Sequence, residues 1–413
     1  MAVGNGGFAG TVDNANMMLQ LNKGFAVAGG DSGHLASQNN DGSGAPGVYL
    51  PYMHDRNQLE AWIHNAVSIF TGPAKCIVEA YYGSPARYSY YYGCSTGGAQ
   101  GFSLAQFHPD LFDGIYAGSP GNWYSHLALS FLWNFVKTQN ESFIPQTTLD
   151  AITAAVLDQC DMLDGVEDRM LENPLLCDFD LGTMACGSAT ANASACLSPA
   201  QLLAAKDIYA GPPSTANGAE TYPGFSVGSE SSWHLQEATP ESLADAFSIP
   251  LLQNVVYDDL NYNPLDFDFE KDVGVVNEKL GRYIDAVSTD LSKFRKNGGK
   301  MIVTQGWADP YNAAIWPIQH LQDMETFFGG DISDFFNLFM VPGGGHCGGS
   351  PYYPASPATY HVAEALVAWV ERGEKPSSVL STGTNGGANL SRLLCPWPQT
   401  ATYVGGEIKQ VKN

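Results

Sequence analysis

Short apolar runs alternate with amphipathic stretches over the first 120 residues. Residues 24–30 (GFAVAGG) form a continuous run that predicts a buried strand, and residues 56–71 (RNQLEAWIHNAVSIFT) carry helical spacing. Residues 88–93 predict a strand, 96–107 a helix and 114–118 another strand. Such β-α-β-α alternation predicts an α/β domain with a largely parallel sheet.

After Ser119-Pro120-Gly121 the pattern changes to longer helical stretches, acidic loops, close cysteine pairs and aromatic runs, as far as about Gly298. The earlier pattern then returns: residues 300–306 (KMIVTQG) and 336–341 (FNLFMV) read as strands, 313–327 and 359–372 as helices. The expected organisation is a core made of residues 1–120 and 299–413, split by an inserted lid domain at 121–298. A split core accounts for a chain longer than one usual domain. No fixed-period repeat or heptad run is present, so solenoids and coiled coils are set aside.

Composition narrows the function classes. The chain of 413 residues has 42 acidic and 19 basic side chains, a net charge of −23, which repels nucleic-acid phosphates and anionic membranes. No apolar run reaches the roughly 18 residues that a membrane span requires. Eight cysteines, low lysine and sequons at Asn140, Asn192 and Asn389 predict an oxidising, secreted setting. The start, MAVGNGG, lacks the charged and apolar regions of a signal peptide, so a leader is expected to have been removed or the chain to begin within a longer precursor.

The strongest chemical signal is Gly93-Cys94-Ser95-Thr96-Gly97, a G-x-S-x-G motif placed between a predicted strand and a predicted helix. Small flanking residues permit the strained turn that exposes a serine hydroxyl, and the following N–H, on Thr96, faces a developing oxyanion. In that setting the acid and histidine must follow the serine in the order Ser, Asp, His. Asp309 lies just beyond the strand at 300–306, and His346 follows the strand at 336–341 and three glycines. Cys94 precedes the candidate nucleophile and Cys347 follows the candidate base, so a bond between them would clamp the two together. Gly4-Asn5-Gly6-Gly7 offers N–H groups from Gly6 and Gly7 as the other half of an oxyanion hole. Gly30-Asp31-Ser32-Gly33 looks like a trypsin-type nucleophile motif, but only 29 residues precede it and the patterning is α/β.

A second constellation runs from Cys160 to Cys177. Asp161, Asp164 and Asp168 supply hard oxygen ligands, Gly165 permits a sharp turn, and the Val166 and Met170 carbonyls can complete a calcium shell. The spacing is not that of an EF-hand.

GNGG near residue 5, GCSTGG at 93–98, CDMLDGVED from 160, GGKMIVTQGWADP at 298–310 and MVPGGGHCGG at 340–349 together resemble the tannase and feruloyl esterase family of α/β-hydrolases. The resemblance implies a triad of Ser95, Asp309 and His346 and a Cys94–Cys347 bond. It also implies structural calcium on Asp161, Asp164, Val166, Asp168 and Met170, with Cys160 bonded to Cys177 and Cys186 to Cys196. Family members carry more chain before the GNGG segment, and Cys76 and Cys395 have no evident partner.

The expected activity is that of a secreted serine carboxylesterase on aromatic esters of hydroxycinnamoyl, feruloyl type, small or borne on plant cell wall, with no nucleic-acid or membrane partner. Galloyl esters come second and terephthalate-type monoesters third, because a free carboxylate calls for arginine and the insertion has only Arg169, Arg282 and Arg295. A reading from another class is an inactive, calcium-dependent binding protein on a hydrolase scaffold. Oligomeric state is not specified by the sequence.

Overall fold

The computed structural model describes residues 1–189, 192–404 and 407–412. Residues 190–191 of the insertion and 405–406 and 413 of the core segment lie outside the described residues. Six strands make one sheet: β1 (Ala2–Val3), β2 (Ala28–Gly29), β3 (Tyr90–Cys94), β4 (Gly114–Gly118), β5 (Lys300–Gly306) and β6 (Phe336–Val341). Their order is β2-β1-β3-β4-β5-β6, and every adjacent pair is parallel.

The sheet is buried on both faces, as a parallel sheet must be, and alternation along β5 divides its side chains between them. Met301 and Val303 join Phe102, Ile115 and Leu338 on one side. Ile302 joins Tyr90, Tyr116, Phe339, Leu366 and Trp369 on the other. The helices Thr96–Phe107 and Val362–Arg372 supply these covering layers.

Strands β4, β5 and β6 keep the predicted bounds, β3 and the helices expected at 313–327 and 359–372 shift by one to three residues, with 359–360 becoming strand, and two elements differ more. Only Ala28–Gly29 of the 24–30 run is strand, because its partner β1 offers just Ala2 and Val3 for pairing. The 56–71 helix is broken into Arg56–Glu60, a π turn at Ala61–Asn65 and a new helix Ser68–Tyr82. Ala61, Trp62 and Ile63 are all buried, which a single stripe of an α-helix does not accommodate.

Beyond the sheet, β7 (Thr359–Tyr360), β8 (Val379–Asn385) and β9 (Ala388–Leu394) form an antiparallel sheet, and β10 (Gln399–Val404) pairs with β11 (Glu407–Lys412). The β8–β9 turn is Gly386-Gly387, both at positive φ, which suits a two-residue hairpin loop.

Among the described residues, the stretch between β4 and β5 adds no strand to the main sheet. Its helices Gln146–Cys160 and Pro199–Ala210 pack around Ile152, Val156, Leu197, Ile208 and Trp233, in a cluster that also takes in Ala308 and Tyr353 from beyond β5. The helix Tyr124–Lys137 instead packs with Leu50 and Trp62 from before the insertion and with Leu251 and Val276 from within it. Among the described residues, no helix is long and apolar enough to cross a membrane.

Candidate active site

Ser95 sits between β3 and the helix Thr96–Phe107 at φ +64°, ψ −123°, a backbone state that is strained for a residue with a Cβ. The surrounding glycines are sterically required. A Cβ on Gly93 would lie 2.5 Å from Gly97 O, and one on Gly98 would lie 2.7 Å from Gly118 O. The Ser95 N–H donates to Gly118 O at 2.9 Å and its carbonyl accepts from Gly121 N at 3.2 Å, so the turn is held from both sides.

The ends of β5 and β6 continue to pair beyond the sheet: Trp307 N donates to Val341 O and Ala308 N to Gly344 O. This carries Asp309 to His346, whose Nδ1 is 3.0 Å from each carboxylate oxygen of Asp309. Asp309 also accepts from the Tyr311 and Asn312 N–H groups and from Gln305 Nε2. Burial alone would push the Asp309 carboxyl up, but the charge and hydrogen bond of His346 and the two peptide N–H groups hold it below the usual value. A carboxylate on Nδ1 calls for the ring proton there, leaving Nε2 as an acceptor in neutral imidazole. His346 Nε2 is buried, and no protein atom among the described residues satisfies it.

The disulfide Cys94–Cys347, with Cα atoms 5.8 Å apart, links the residue before Ser95 to the residue after His346. With about 3.8 Å between consecutive Cα atoms, the Ser95 and His346 Cα atoms are at most about 13 Å apart. The Cys347 N–H also donates to Ser119 Oγ. Cys160–Cys177 and Cys186–Cys196 are bonded as expected, whereas Cys76 is an exposed thiol and Cys395 is buried.

The Gly6–Gly7 loop lies against the same helix start, since a Cβ on Gly97 would be 3.0 Å from Asn5 O. Asn5 anchors this loop: its Nδ2 donates to Thr11 O and Gly30 O, and its N–H donates to Gln100 Oε1. Thr96, at the first helical position, has no intrahelical acceptor for its N–H. Ser32, set aside above as a nucleophile, is buried and donates to Asn5 Oδ1, while also accepting from Gln100 Nε2. It is part of the support under the glycine loop.

Aromatic rings line the route from that loop to the imidazole. Phe8 and Phe247 meet edge-on at 5.2 Å, Phe247 and Tyr311 are 6.3 Å apart, and Tyr311 stacks on His346 at 4.1 Å. All three arginines of the insertion are engaged elsewhere: Arg169 with Asp158, Arg295 with Asp334, and Arg282 over the Tyr283 ring.

The arrangement offers a half-buried serine on a strained turn, a carboxylate-held imidazole and the peptide N–H groups of Thr96 and the glycine loop, the parts that acyl transfer uses. A family model for tannase and feruloyl esterase matches residues 1–413. The chain belongs to this family. It is 32% identical over 464 residues to an uncharacterized esterase of Xanthomonas campestris pv. campestris, covering 100% of this chain and 78% of the relative. It is 32% identical over 403 residues to a probable feruloyl esterase B-2 of Aspergillus flavus, covering 92% and 74%. The crystal structure of feruloyl esterase B from Aspergillus oryzae superposes with a TM-score of 0.87 at 25% identity, covering 99% of this chain and 84% of that one. The chain is thus a carboxylic ester hydrolase built on the α/β-hydrolase fold.

Within this family member the acidic loop of the insertion is the second polar centre. Asp161 accepts from the Arg169 and Met170 N–H groups, and Asp164 from that of Val166, across Gly165 at φ +89°. Burial first, with Asp168 and Glu172 nearby, pushes the Asp164 carboxyl up to about 6 against the pull of the Val166 N–H and Arg392. Asp168 Oδ1 is a buried atom without a partner among the described residues. Among the described residues, no three acidic, histidine or cysteine groups close on one point as metal ligands.

Sequence reasoning had no signal for Arg392, which enters this loop from β9, or for Gln305 and Asn5. Tyr311 was within view, two residues beyond Asp309, but nothing in the pattern placed its ring on His346.

Proposed function

We propose that this enzyme hydrolyses hydroxycinnamoyl esters through an acyl-enzyme on Ser95. His346 Nε2 takes the hydroxyl proton, and Asp309 fixes the ring and stabilises the imidazolium. The Thr96 N–H and that of Gly6 or Gly7 bind the oxyanion. His346 then passes the proton to the leaving alcohol, and water, activated by the same imidazole, releases the acid.

The observation that carries this reading is the pair of buried Asp309 and half-buried His346, disulfide-tethered to the strained turn at Ser95. The Phe8, Phe247 and Tyr311 rings favour a flat aromatic acyl group, and the insertion's arginines, all engaged elsewhere, disfavour an acyl group that keeps a carboxylate. Assay of methyl ferulate, methyl caffeate, methyl gallate and a terephthalate monoester tests the ranking. The highest kcat/KM is expected on ferulate or caffeate; preference for gallate or terephthalate would reassign the substrate.

In the same reading the 121–298 insertion is a lid stabilised by calcium. Three carboxylates and two peptide carbonyls are the hard oxygen donors that calcium takes, and the orphaned Asp168 Oδ1 is the kind of atom a cation satisfies. Asp161, Asp164 and Asp168, which do not close on one point in the described arrangement, would have to draw together with the Val166 and Met170 carbonyls to hold the ion, which would supply structural charge neutralisation and no catalytic step. Its stabilisation amounts to about 2.7 kcal/mol at a hundredfold excess over the dissociation constant. The three disulfides suit an extracellular enzyme, and the exposed Asn140, Asn192 and Asn389 are open to glycosylation.

A further inference from the structure

We propose that Arg392 is the positioning residue of the acidic loop: its guanidinium presents Asp168 to the calcium ion and ties the loop to the catalytic core's C-terminal strands. The proposal rests on the calcium reading above.

Arg392 lies on β9, and its side chain is largely buried, with 15% exposed. One arm donates to Asp168 Oδ2 at 2.8 Å, and the other to Glu172 Oε2 at 2.9 Å and, more weakly, Asp164 Oδ2 at 3.5 Å. A planar fork that spans two carboxylates fixes their orientation in a way a lysine point charge does not.

The consequence for Asp168 is asymmetric. One of its oxygens is taken by Arg392, while the other is buried and has no partner among the described residues. A carboxylate divided in this way can serve a cation with its free oxygen while its bonded oxygen sets its angle, the usual role of an outer partner at a metal site. Charge points the same way, since Asp164, Asp168 and Glu172 share a single guanidinium. Asp168 and Met170 also border a cavity of about 480 Å³.

Two further contacts seat the loop on the same strands. Glu172 Oε1 accepts from Ala401 N at 2.7 Å, and a Cβ on Gly165 would lie 2.7 Å from Tyr403 O. The loop is therefore anchored to β9 and β10, over 200 positions away in sequence, by a fork and a peptide hydrogen bond.

Calcium titration calorimetry on chelator-stripped full-length enzyme, with melting curves at each calcium level, tests this. Arg392→Gln should weaken calcium binding about 10- to 100-fold, with Arg392→Lys between it and wild type. Glu172→Gln, which frees one arm of the fork, should shift affinity in the same direction and keeps the test open if the arginine variants fold poorly. Equal affinities across the series overturn the proposal, and tighter binding in Arg392→Gln would mean that the guanidinium competes with the ion. A wild-type enzyme that binds no calcium overturns the calcium reading itself, and the positioning role with it.

Discussion

Asp309 is fully buried yet stays ionised, because its gains from His346 and two peptide N–H groups exceed the cost of desolvation. Its folded pKa lies below the ordinary value. The stability it contributes is therefore complete above that ordinary value and lost only as pH falls through the lowered one. Asp309→Asn removes the charge that fixes the ring proton on Nδ1, and turnover should fall about 10⁴-fold. A variant that keeps most of the wild-type rate would move the acid elsewhere. Tyr311 acts on the same imidazole through its ring face, and ring pairs of this kind contribute about 0.5–1.5 kcal/mol. Tyr311→Leu should lower kcat about 2- to 10-fold, whereas Tyr311→Phe, which keeps the stacked ring, should leave it nearly unchanged. Equal kcat in all three enzymes would show that the stack does not orient the base.

At the scale of elements, the site depends on loops that the sheet brings to one edge. Loop entropy gives the Cys94–Cys347 bond, at a separation of 253 positions, a contribution near 5 kcal/mol. The figure shrinks in a denatured chain already constrained by two other bridges. Its local effect is larger, since acyl transfer tolerates about half an ångström of misplacement. Replacing both cysteines by alanine should leave a folded protein whose kcat is lower by orders of magnitude. A double variant that melts normally and turns over at the wild-type rate would assign the bond no catalytic role.

Glu237 sets a second dependence. It holds the Ile144 N–H ahead of the helix Gln146–Cys160, its other oxygen is buried without a partner among the described residues, and burial pushes its carboxyl up to about 8. A folded pKa above the unfolded value means that stability is greatest below about 4.5 and declines as pH rises toward about 8. Denaturant titrations at pH 5 and pH 8 should show this loss in wild type and a smaller one in Glu237→Gln. The same pH slope in both would place the dependence on another group.

For the whole molecule, what was legible in the sequence divides by the range of the interaction. The Asp309–His346 pairing and the strained turn at Ser95 could be read because each of these residues follows a predicted strand, and because chain order alone constrains the set. Strands β4, β5 and β6 were readable for the same reason. The C-terminal hairpins were not read, although Gly386-Gly387 between two alternating runs is a local turn signal. Arg392 could not be read at all: it is 224 positions from Asp168, and no local pattern marks a surface-type residue that tertiary packing buries. The same holds for Asn5, Ser32 and Gln100, whose worth lies in one shared network beneath the glycine loop.

The central claim, that Ser95 is the covalent nucleophile, is tested most directly by acid quench of the enzyme during turnover of a feruloyl ester, followed by peptide mass analysis. The account predicts the mass of one feruloyl group on the peptide containing Ser95, and neither adduct nor turnover in Ser95→Ala. Turnover that persists in Ser95→Ala, or an adduct on another residue, would contradict it.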